Sequence, residues 1–524
     1  MPQFADLPDE LVERIMLLTN IRTLGRVAQV SKGFKTLMDQ SLAIRYKMEL
    51  DSDRMVDGPP SGLDTSTRLT RLQERRAAWK TFQPTKRIIV PHVNHWMYAF
   101  CDTHIIWRDE DADMVRVFQI PSSFRGMEQR SWSVSVPFED SPDEDVFEML
   151  EADPGQDLLA LVKVIGNPDN STAEVILRRL SNGENHPESH NPILHFTFQC
   201  PHNDDVTPTV RIGGNYIYVC AIPRELPPHR QRFEGDGYFA KMLVVMNWKT
   251  GEVCLDIVGE GVSCAFLDEH TLLVGHDGPQ SYVLSVLDLR KCHEITSDGP
   301  EILSGHSLRQ LRFPDKPNDC DSYTAGISVV PSPTVTSRVR TNSDAPFYIS
   351  QDRAIRISLV SDSDREGLGD IVVFISSTVL RDLSNCAGNT TRPLDWDEWG
   401  PQNCIVSPGD MAIIRGGAVH GSSVAIQKIS GQEDGLKREL FVYRLETKNA
   451  PGPFVNIGHN HLFASSRISS LDLSNPQSWA LTHSTSLSCG PVMHSEPQVW
   501  MGTDCIIFDK HPYSPVTELE VVCF

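Results

Sequence analysis

The chain has 524 residues, of which 40% are hydrophobic and 22% are charged, and its formal net charge is −21 at pH 7. This composition excludes wholesale disorder and predicts a sizeable core, either in three or four domains of about 150 residues or in one large all-β domain. The negative charge argues against nonspecific binding of nucleic acid, whose phosphates would be repelled. No stretch reaches the roughly 18 consecutive apolar residues of a membrane helix, and the first residues lack an apolar signal core. We therefore expect an intracellular protein, cytoplasmic or nuclear, with no membrane partner.

The first fifty residues carry an amphipathic helical pattern. Pro8 suits the first position of a helix, where its missing N–H costs nothing, and Asp6 can accept hydrogen bonds from free amides nearby. Apolar residues then recur at spacings of three and four, which places them on one helix face; they are Leu7, Leu11, Val12, Ile15, Leu18, Leu24, Val27, Val30, Phe34 and Leu37. Fifty residues cannot bury so much apolar surface alone, so it must pack on the rest of the chain or on another protein.

The same segment resembles the F-box family in the run Leu7-Pro8-Asp9-Glu10-Leu11-Val12, and then in Ile15, Leu24, Arg26, Val27, Val30-Ser31-Lys32 and Phe34. The resemblance implies a helical module over residues 1–50 that docks on a Skp-type adaptor and, through it, on a cullin ubiquitin ligase. It also implies the adaptor-binding residues, which are Leu7, Pro8, Leu11, Ile15, Leu24, Val27, Val30 and Phe34. The chain departs from the family at Phe34, where Trp is usual, and at Gly25, where Leu is common. The alternative is a helical cap on the following domain.

Residues 51–85 predict a linker and then a connecting helix. Asp, Gly, Pro and Ser are frequent in residues 51–67, which is typical of a linker. Leu69, Leu72, Arg76 and Trp79 then share one helix face, and Trp79 with Phe82 would anchor the helix to the next domain. Such a helix would hold the docking module at a fixed angle to the large domain.

Residues 86–524 predict an all-β domain. Short runs rich in Val, Ile, Leu, Tyr and Phe alternate with Gly, Asp, Asn, Pro and Ser, as in residues 87–90, 158–162, 242–246 and 371–375. Residues 242–289 read as strand, turn at Lys249-Thr250-Gly251, strand, turn and strand, an order that resembles a β-propeller blade without the WD signature.

The length of this domain bears on the number of blades. At about 40–45 residues per compact blade, a domain of this length exceeds the usual maximum of about eight blades, so we expect inserted loops. The candidates are residues 187–208, 224–237 and 314–345. The sequence therefore predicts a propeller of six to eight blades, with seven or eight favoured. A pair of β-sandwiches is the competing architecture, and radial closure is preferred because it protects the sheet edges.

Residue patterns of common catalytic, metal and nucleotide sites are missing from the sequence. There is no P-loop, no His-Glu-x-x-His and no Gly-x-Ser-x-Gly. The twelve cysteines form no Cys-x-x-Cys pair, and several stand in apolar runs, which predicts buried, reduced thiols. His92 with His95, and His459 with His461, have metal-ligand spacing but no third ligand nearby. We expect no metal, no cofactor and no catalytic centre.

Two polar segments of the large domain are candidates for binding a partner. Trp396 and Trp399, set among Asp395, Asp397 and Glu398, would form an exposed aromatic platform for a basic peptide. The alternative, which the sequence favours, packs both rings into the core. The acidic residues of segment 139–145 would attract a basic partner, or they would form a solvated loop.

The sequence as a whole resembles large fungal F-box proteins, with a short F-box before a long β-rich region. This resemblance implies a non-catalytic substrate receptor of an SCF-type ubiquitin ligase that binds an unidentified protein substrate through the propeller. Two other functions remain open. One is an F-box scaffold that binds the adaptor outside the ligase, and the other is a propeller enzyme with a helical cap.

Overall fold

The computed structural model of the chain describes residues 7–60, 62–81, 83–94, 98–109, 114–136, 147–167, 170–198, 207–222, 240–260, 262–293, 295–297, 299–315, 323–328, 345–350, 352–361, 371–385, 392–407, 419–420, 423–430, 437–444, 480–485, 499–509 and 516–524. In these ranges a helical N-terminal region precedes a large region of mainly antiparallel β-sheets. None of the helices in them is both long and apolar enough to cross a bilayer.

Four short helices open the chain and a longer fifth helix leads to the sheets. Their bounds are α1 Asp9–Leu18, α2 Ile21–Val30, α3 Lys32–Gln40, α4 Leu42–Ser52 and α5 Thr65–Thr81. The sequence predicts a linker over residues 51–67, but a short strand, β1 (Met55–Asp57), lies within it. The reason is tertiary, because the backbone of β1 pairs with Phe347–Ile349, far along the chain.

Seven sheets of four or five strands follow one another in the described part of the large domain. The domain opens with β2 (Lys86–Asn94). The first sheet contains β3 Tyr98–Cys101, β4 His104–Asp109, β5 Met114–Gln119 and β6 Arg130–Ser135. The second contains β7 Phe147–Asp153, β8 Leu158–Asn167, β9 Asn170–Arg179 and β10 Ile193–Phe198. The third contains β11 Thr207–Gly213, β12 Tyr216–Ile222, β13 Ala240–Asn247 and β14 Val253–Glu260.

The later sheets repeat the same meander. The fourth contains β15 Ser263–Phe266, β16 Thr271–Asp277, β17 Ser281–Asp288 and β19 Arg309–Asp315, while β18 Ile295–Ser297 pairs in parallel with β14. The fifth contains β20 Tyr323–Ser328, β22 Ala354–Ser361, β23 Ile371–Ser376 and β24 Cys404–Ser407, and β21 is the Phe347–Ile349 strand that pairs with β1. The sixth contains β25 Val419–His420, β26 Ser423–Ser430, β27 Lys437–Arg444 and β28 Ala480–Thr485.

The seventh sheet joins the two ends of the large domain. It contains β29 Val499–Met501, β30 Cys505–Asp509 and β31 Val516–Cys523, and its fourth strand is β2. β2 pairs antiparallel with β31 from Lys86 opposite Cys523 to Asn94 opposite Val516. This pairing closes the row of sheets, because the first and the last strand of the domain lie side by side in one sheet.

The hydrophobic core is divided into layers between consecutive sheets. Each of five buried clusters takes its residues from two neighbouring sheets, as where Leu161 of β8 and Ala99 of β3 share one cluster. Another cluster joins the seventh sheet to the first through Ile507 and Trp107. Sheets that stack side by side and close through a shared strand are the architecture of a β-propeller, and not of two sandwiches.

The described insertions are helical, and two strands lie where the sequence predicts loops. The insertions include α6 Leu303–His306 and, between β23 and β24, α7 Ser377–Asn385 and α8 Trp396–Asn403. β10 lies within residues 187–208 and pairs with β9. β20 lies within residues 314–345 and pairs with β22. The predicted loop at residues 224–237 lies outside the described residues.

Candidate functional site

The N-terminal module has a small core of its own. Val12 and Met16 of α1 are buried against Leu24, Met38 and Ile44 from the next three helices. Helix α1 begins directly after Pro8, whose carbonyl accepts hydrogen bonds from the N–H groups of residues 11 and 12 at 3.0 and 3.2 Å. The inner face of α1 is therefore set by its packing, and this decides which residues point outward.

A row of apolar side chains lies on the outside of α1, and we call it the docking stripe. It consists of Leu7, Leu11, Ile15 and Leu18, which expose 36%, 46%, 40% and 88% of their surface. Leu11, Ile15 and Leu18 are spaced by four and three residues, which puts them on one face of the helix, and Leu7 lies two residues before the helix begins. Exposed large apolar residues in a continuous row are typical of a surface that another protein covers.

Short polar contacts fix the end of α1 and the helices that pack behind it. The side chain of Asn20 accepts a hydrogen bond from the N–H of Thr23 at 2.8 Å, which caps the start of α2. Ser31 caps α3 in the same way, and Ser41 caps α4. At the other end of α1, Lys47 donates hydrogen bonds to carbonyl groups of the last turn. Each such cap stabilises its helix by about 0.5–2 kcal/mol.

The structure divides the predicted adaptor-binding residues into an exposed and a buried set. Leu7, Pro8, Leu11 and Ile15 are accessible on or beside the docking stripe. Val30 exposes 75% of its surface, whereas Leu24 exposes 0% because it fills the core of the module. Leu24 therefore supports the surface from within and cannot contact a partner directly.

Val27 and Phe34 are intermediate between these two sets, because both are half-buried against the edge of the same core.

Leu18 is not among the predicted adaptor-binding residues, although it is the most exposed residue of the stripe. Its position three residues after Ile15 is the signal in the sequence that identifies it.

A second group of contacts joins the module to the propeller, and we call it the joint. Its apolar part combines Tyr46 and Leu50 of α4 with Leu69 and Leu72 of α5, and these pack against Phe124 and Phe347 of the large domain. Near the end of α5 the ring of Trp79 stacks on that of Phe524, with centroids 4.3 Å apart. Helix α5 is therefore buried along one face, as its sequence pattern predicts.

The polar part of the joint is built around Arg68 of α5. Its guanidinium donates to the carboxylate of Asp57 at 2.7 Å and to the carbonyl of Pro59 at 2.7 Å. The hydroxyl of Tyr46 has two acceptors for its one proton, the carboxylate of Asp57 at 2.9 Å and the carbonyl of Pro346 at 3.0 Å. Burial and the neighbouring Asp57 carboxylate both raise the pKa of Tyr46, so its hydroxyl stays protonated and remains a donor. These bonds tie α4 and α5 to β1 and to Pro346, the residue just before β21.

Asp504, between β29 and β30, is the strongest charged contact of the joint. It accepts hydrogen bonds from Arg75 of α5 at 2.7 Å and from Arg125 and Ser122, in the connection between β5 and β6, both at 2.6 Å. Burial would raise the pKa of Asp504, but the guanidinium groups of Arg125 and Arg75 outweigh it and hold the pKa well below its usual range. A carboxylate thus stays charged inside the joint because two arginines neutralise it.

Trp396 and Trp399 do not form the exposed aromatic platform that is one of the two sequence-based alternatives. Both rings are buried at the start of α8 and pack against Phe313, with centroid distances of 5.3 and 5.5 Å. The indole N–H of Trp399 donates to the carbonyl of Arg312 at 2.9 Å. The rings therefore fix the α8 insertion to the fourth sheet and leave no aromatic face open to a ligand.

The other predicted sites are only partly within the described residues. The pairs His92 with His95 and His459 with His461 include residues outside them, as does the acidic segment 139–145. In the part of the chain that the structure covers, no group of three or more His, Cys, Asp or Glu side chains could hold a metal ion. The eight cysteines described there are free thiols, and all but Cys220 are buried.

Several solved structures share a general likeness with the chain, and a search of curated proteins gives no match. An oligogalacturonate lyase in complex with manganese has a TM-score of 0.34 at 11% identity, covering 83% of this chain and 91% of its own. Hsv2 of Kluyvelomyces marxianus has a TM-score of 0.31 at 10% identity, with 80% and 89% covered. The Dos1 propeller has a TM-score of 0.30 at 9% identity, with 85% and 96% covered. At such TM-scores the likeness assigns neither fold nor function.

The family comparison concerns the N-terminal module alone. The F-box domain model matches residues 4–42, a range that includes the docking stripe and the helices α1, α2 and α3. The residues that carry the pattern in the sequence are therefore those that build the module and its exposed row. The chain therefore carries an F-box domain at residues 4–42.

Proposed function

We propose that this protein is the substrate-recognition subunit of an SCF-type ubiquitin ligase. Its docking stripe binds a Skp-type adaptor, the adaptor links it to a cullin, and the propeller holds a protein substrate. The observation that carries the proposal is the exposed apolar row of α1 within the F-box match. No described element of the chain covers that row, so we infer that a partner protein covers it.

The docking energy comes from burying the stripe in apolar pockets of the adaptor. Each large side chain that becomes fully buried contributes roughly 1.5–3 kcal/mol before the cost of ordering is subtracted. Leu11 and Ile15 lie at the centre of the stripe and expose 46% and 40% of their surface, so burying that remainder contributes roughly 1.3–2.6 kcal/mol for the two together. Loss of both side chains would weaken adaptor binding by a factor of about ten to eighty.

The large domain is proposed to be a seven-bladed propeller spanning residues 86–524, with the F-box at residues 1–50 and the joint segment at residues 51–85. The seven described sheets and the closing pair of β2 with β31 support this number. The propeller performs no chemistry in this proposal. Its contribution is to raise the effective concentration of the substrate near the ubiquitin donor, and the joint keeps the two at a fixed distance.

A charge substitution in the docking stripe tests the proposal. The double variant Leu11→Asp, Ile15→Asp should lose co-purification of the adaptor, because two carboxylates would have to enter apolar pockets. The matched control is Ile89→Asp, Ile193→Asp, whose side chains are similarly exposed, at 42% and 37%, on strands of the propeller. The control should bind the adaptor like the wild type. Adaptor binding that survives in the stripe variant would refute the docking assignment.

A second readout separates the ligase from a scaffold. Wild-type protein should co-purify with both adaptor and cullin, and the stripe variant should lose the two together. If the wild type retains the adaptor but never the cullin, the protein is an F-box scaffold that acts outside the ligase.

A further inference from the structure

Charge is unevenly distributed between the F-box and the rest of the chain. The helices α2 and α3 carry four basic residues, at positions 22, 26, 32 and 35, against the single acidic residue Asp39. The whole chain has a net charge of −21. Helices α2 and α3 are thus a cationic segment on a strongly acidic protein, whereas α1 carries Asp9, Glu10 and Glu13 against Arg14.

Three of these cations are free at the surface, and we call them the basic face. Arg26, Lys32 and Lys35 are exposed, and none of their charged groups forms an ion pair or a hydrogen bond with a described residue. Lys47, in the same module, behaves differently, because its ammonium group is bonded to backbone carbonyls of α1. The charges of the basic face therefore have no role in holding the described module together.

The basic face lies beside an apolar contact point. Arg26 stands one helical turn before Val30, which exposes 75% of its surface at the end of α2. Lys32 and Lys35 are three residues apart on α3, which starts directly after Ser31. An apolar side chain with charged residues around it is the usual layout of a protein interface, with a dry centre and a charged rim.

We propose that the basic face binds a patch of carboxylates on the adaptor and speeds its association. This inference rests on the proposed function, because the adaptor is its one occupant. The F-box match spans α1 to α3, so the basic face continues the docking stripe within the same module. Nucleic acid fits less well, since the rest of the chain would repel its phosphates.

Charges at the rim of an interface act mainly on the association rate and on its dependence on salt. Opposite charges attract over about 10 Å at 0.1 M salt, and salt screens that attraction. Steering of this kind raises association rates by a factor of about 10–1000. The apolar contacts of the docking stripe, in contrast, act mainly on the dissociation rate, so the two contributions can be measured separately.

The test measures the rates at which the full-length protein associates with a purified Skp-type adaptor and dissociates from it, at about 0.05 M and about 0.5 M salt. Lys32→Glu, Lys35→Glu should slow association roughly tenfold at low salt and less than about twofold at high salt, with the dissociation rate nearly unchanged. Lys32→Gln, Lys35→Gln should give a smaller effect of the same sign. The matched control is Arg130→Glu, Lys291→Glu, which makes the same change in net charge at exposed positions of the propeller.

Each outcome decides the question. A similar slowing in the control would show that net charge matters and the basic face does not, and that would overturn the inference. So would faster association of the Glu variant, because the adaptor would then present cations. Binding of a DNA duplex of about 20 base pairs that depends on Lys32 and Lys35 would also overturn it. Absence of any adaptor binding by the wild type would instead refute the proposed function itself.

Discussion

Replacing Asp504 by Asn should release helix α5 from the propeller. The side chain of Asp504 exposes 2% of its surface, and those of its partners Arg125 and Arg75 expose 5% and 12%. The variant keeps the shape of the side chain but leaves two buried guanidinium groups without their shared carboxylate. Breaking a buried ion pair by removing one partner costs about 3–5 kcal/mol. We therefore expect the joint to open far more often, with the β-sheets still folded.

Amide hydrogen exchange across α5 measures this opening. At about 1.4 kcal/mol per factor of ten, a loss of 3–5 kcal/mol corresponds to exchange that is faster by a factor of about a hundred to a few thousand. The matched control is Glu520→Gln, in the same sheet, whose ion pair with Arg87 at 3.1 Å is partly exposed, with 53% of the Arg87 side chain and 25% of the Glu520 side chain at the surface. The control should change exchange little, because an exposed pair contributes about 0–1 kcal/mol. If exchange of α5 in the folded Asp504→Asn variant stays within about threefold of the wild type, the reasoning fails.

Three further outcomes are expected from the same contacts. The pKa of Asp504 is lowered in the folded state, so its stabilisation of α5 should be complete above the ordinary carboxyl pKa of about 4 and should be lost only as the pH falls further. The rates of α5 exchange in the wild type and in Asp504→Asn should therefore become equal in acid. Trp399→Ala should lower the free energy of unfolding by about 3–5 kcal/mol in urea titration, as for any large buried ring, whereas exposed Met114→Ala should cost little. Tyr46→Phe should cost about 0.5–1.5 kcal/mol at the joint, because it removes a hydrogen bond while the carbonyl of Pro346 keeps the N–H of Gly58 as a donor; exchange of α4 as slow as in the wild type would contradict this.

The F-box could be identified from the sequence because its pattern is local. Spacings of three and four residues predict the helices, and the structure has them. The same spacing cannot distinguish Leu24, which fills the core, from Leu11, which lies outside. Both positions are apolar in a module so small that helices need one apolar face for the core and another for the partner.

The segment around Trp396 contains a helix-start signal that can be recognised in the sequence alone. Glu398 stands three residues after Asp395, and in the structure its carboxylate accepts the N–H of Asp395 at 3.1 Å at the start of α8. That spacing is the signature of a helix start, and a helix start at Asp395 is compatible with buried rings. The pair of Trp residues could therefore have been assigned to a helix.

Asp504 could not have been predicted as the centre of the joint. Its partners Arg75 and Arg125 lie 429 and 379 positions away in the sequence. No periodicity or motif connects residues so far apart, since they meet only when the ring of sheets closes. The strand order within each sheet is predictable for the opposite reason, because consecutive strands are neighbours in space.

The pairing of β2 with β31 has a consequence for how the protein is made. The N–H of Thr85 donates to the carbonyl of Cys523, 438 positions later. At translation rates of about 5–20 residues per second, the residues after α5 wait roughly 20–90 s for that partner to emerge from the ribosome. During this interval the F-box helices are already synthesised, while Asp504 and Phe524 do not yet exist. Under the proposed function, an adaptor would therefore reach the nascent chain before the propeller is complete, and it would shield the apolar row from aggregation during the wait.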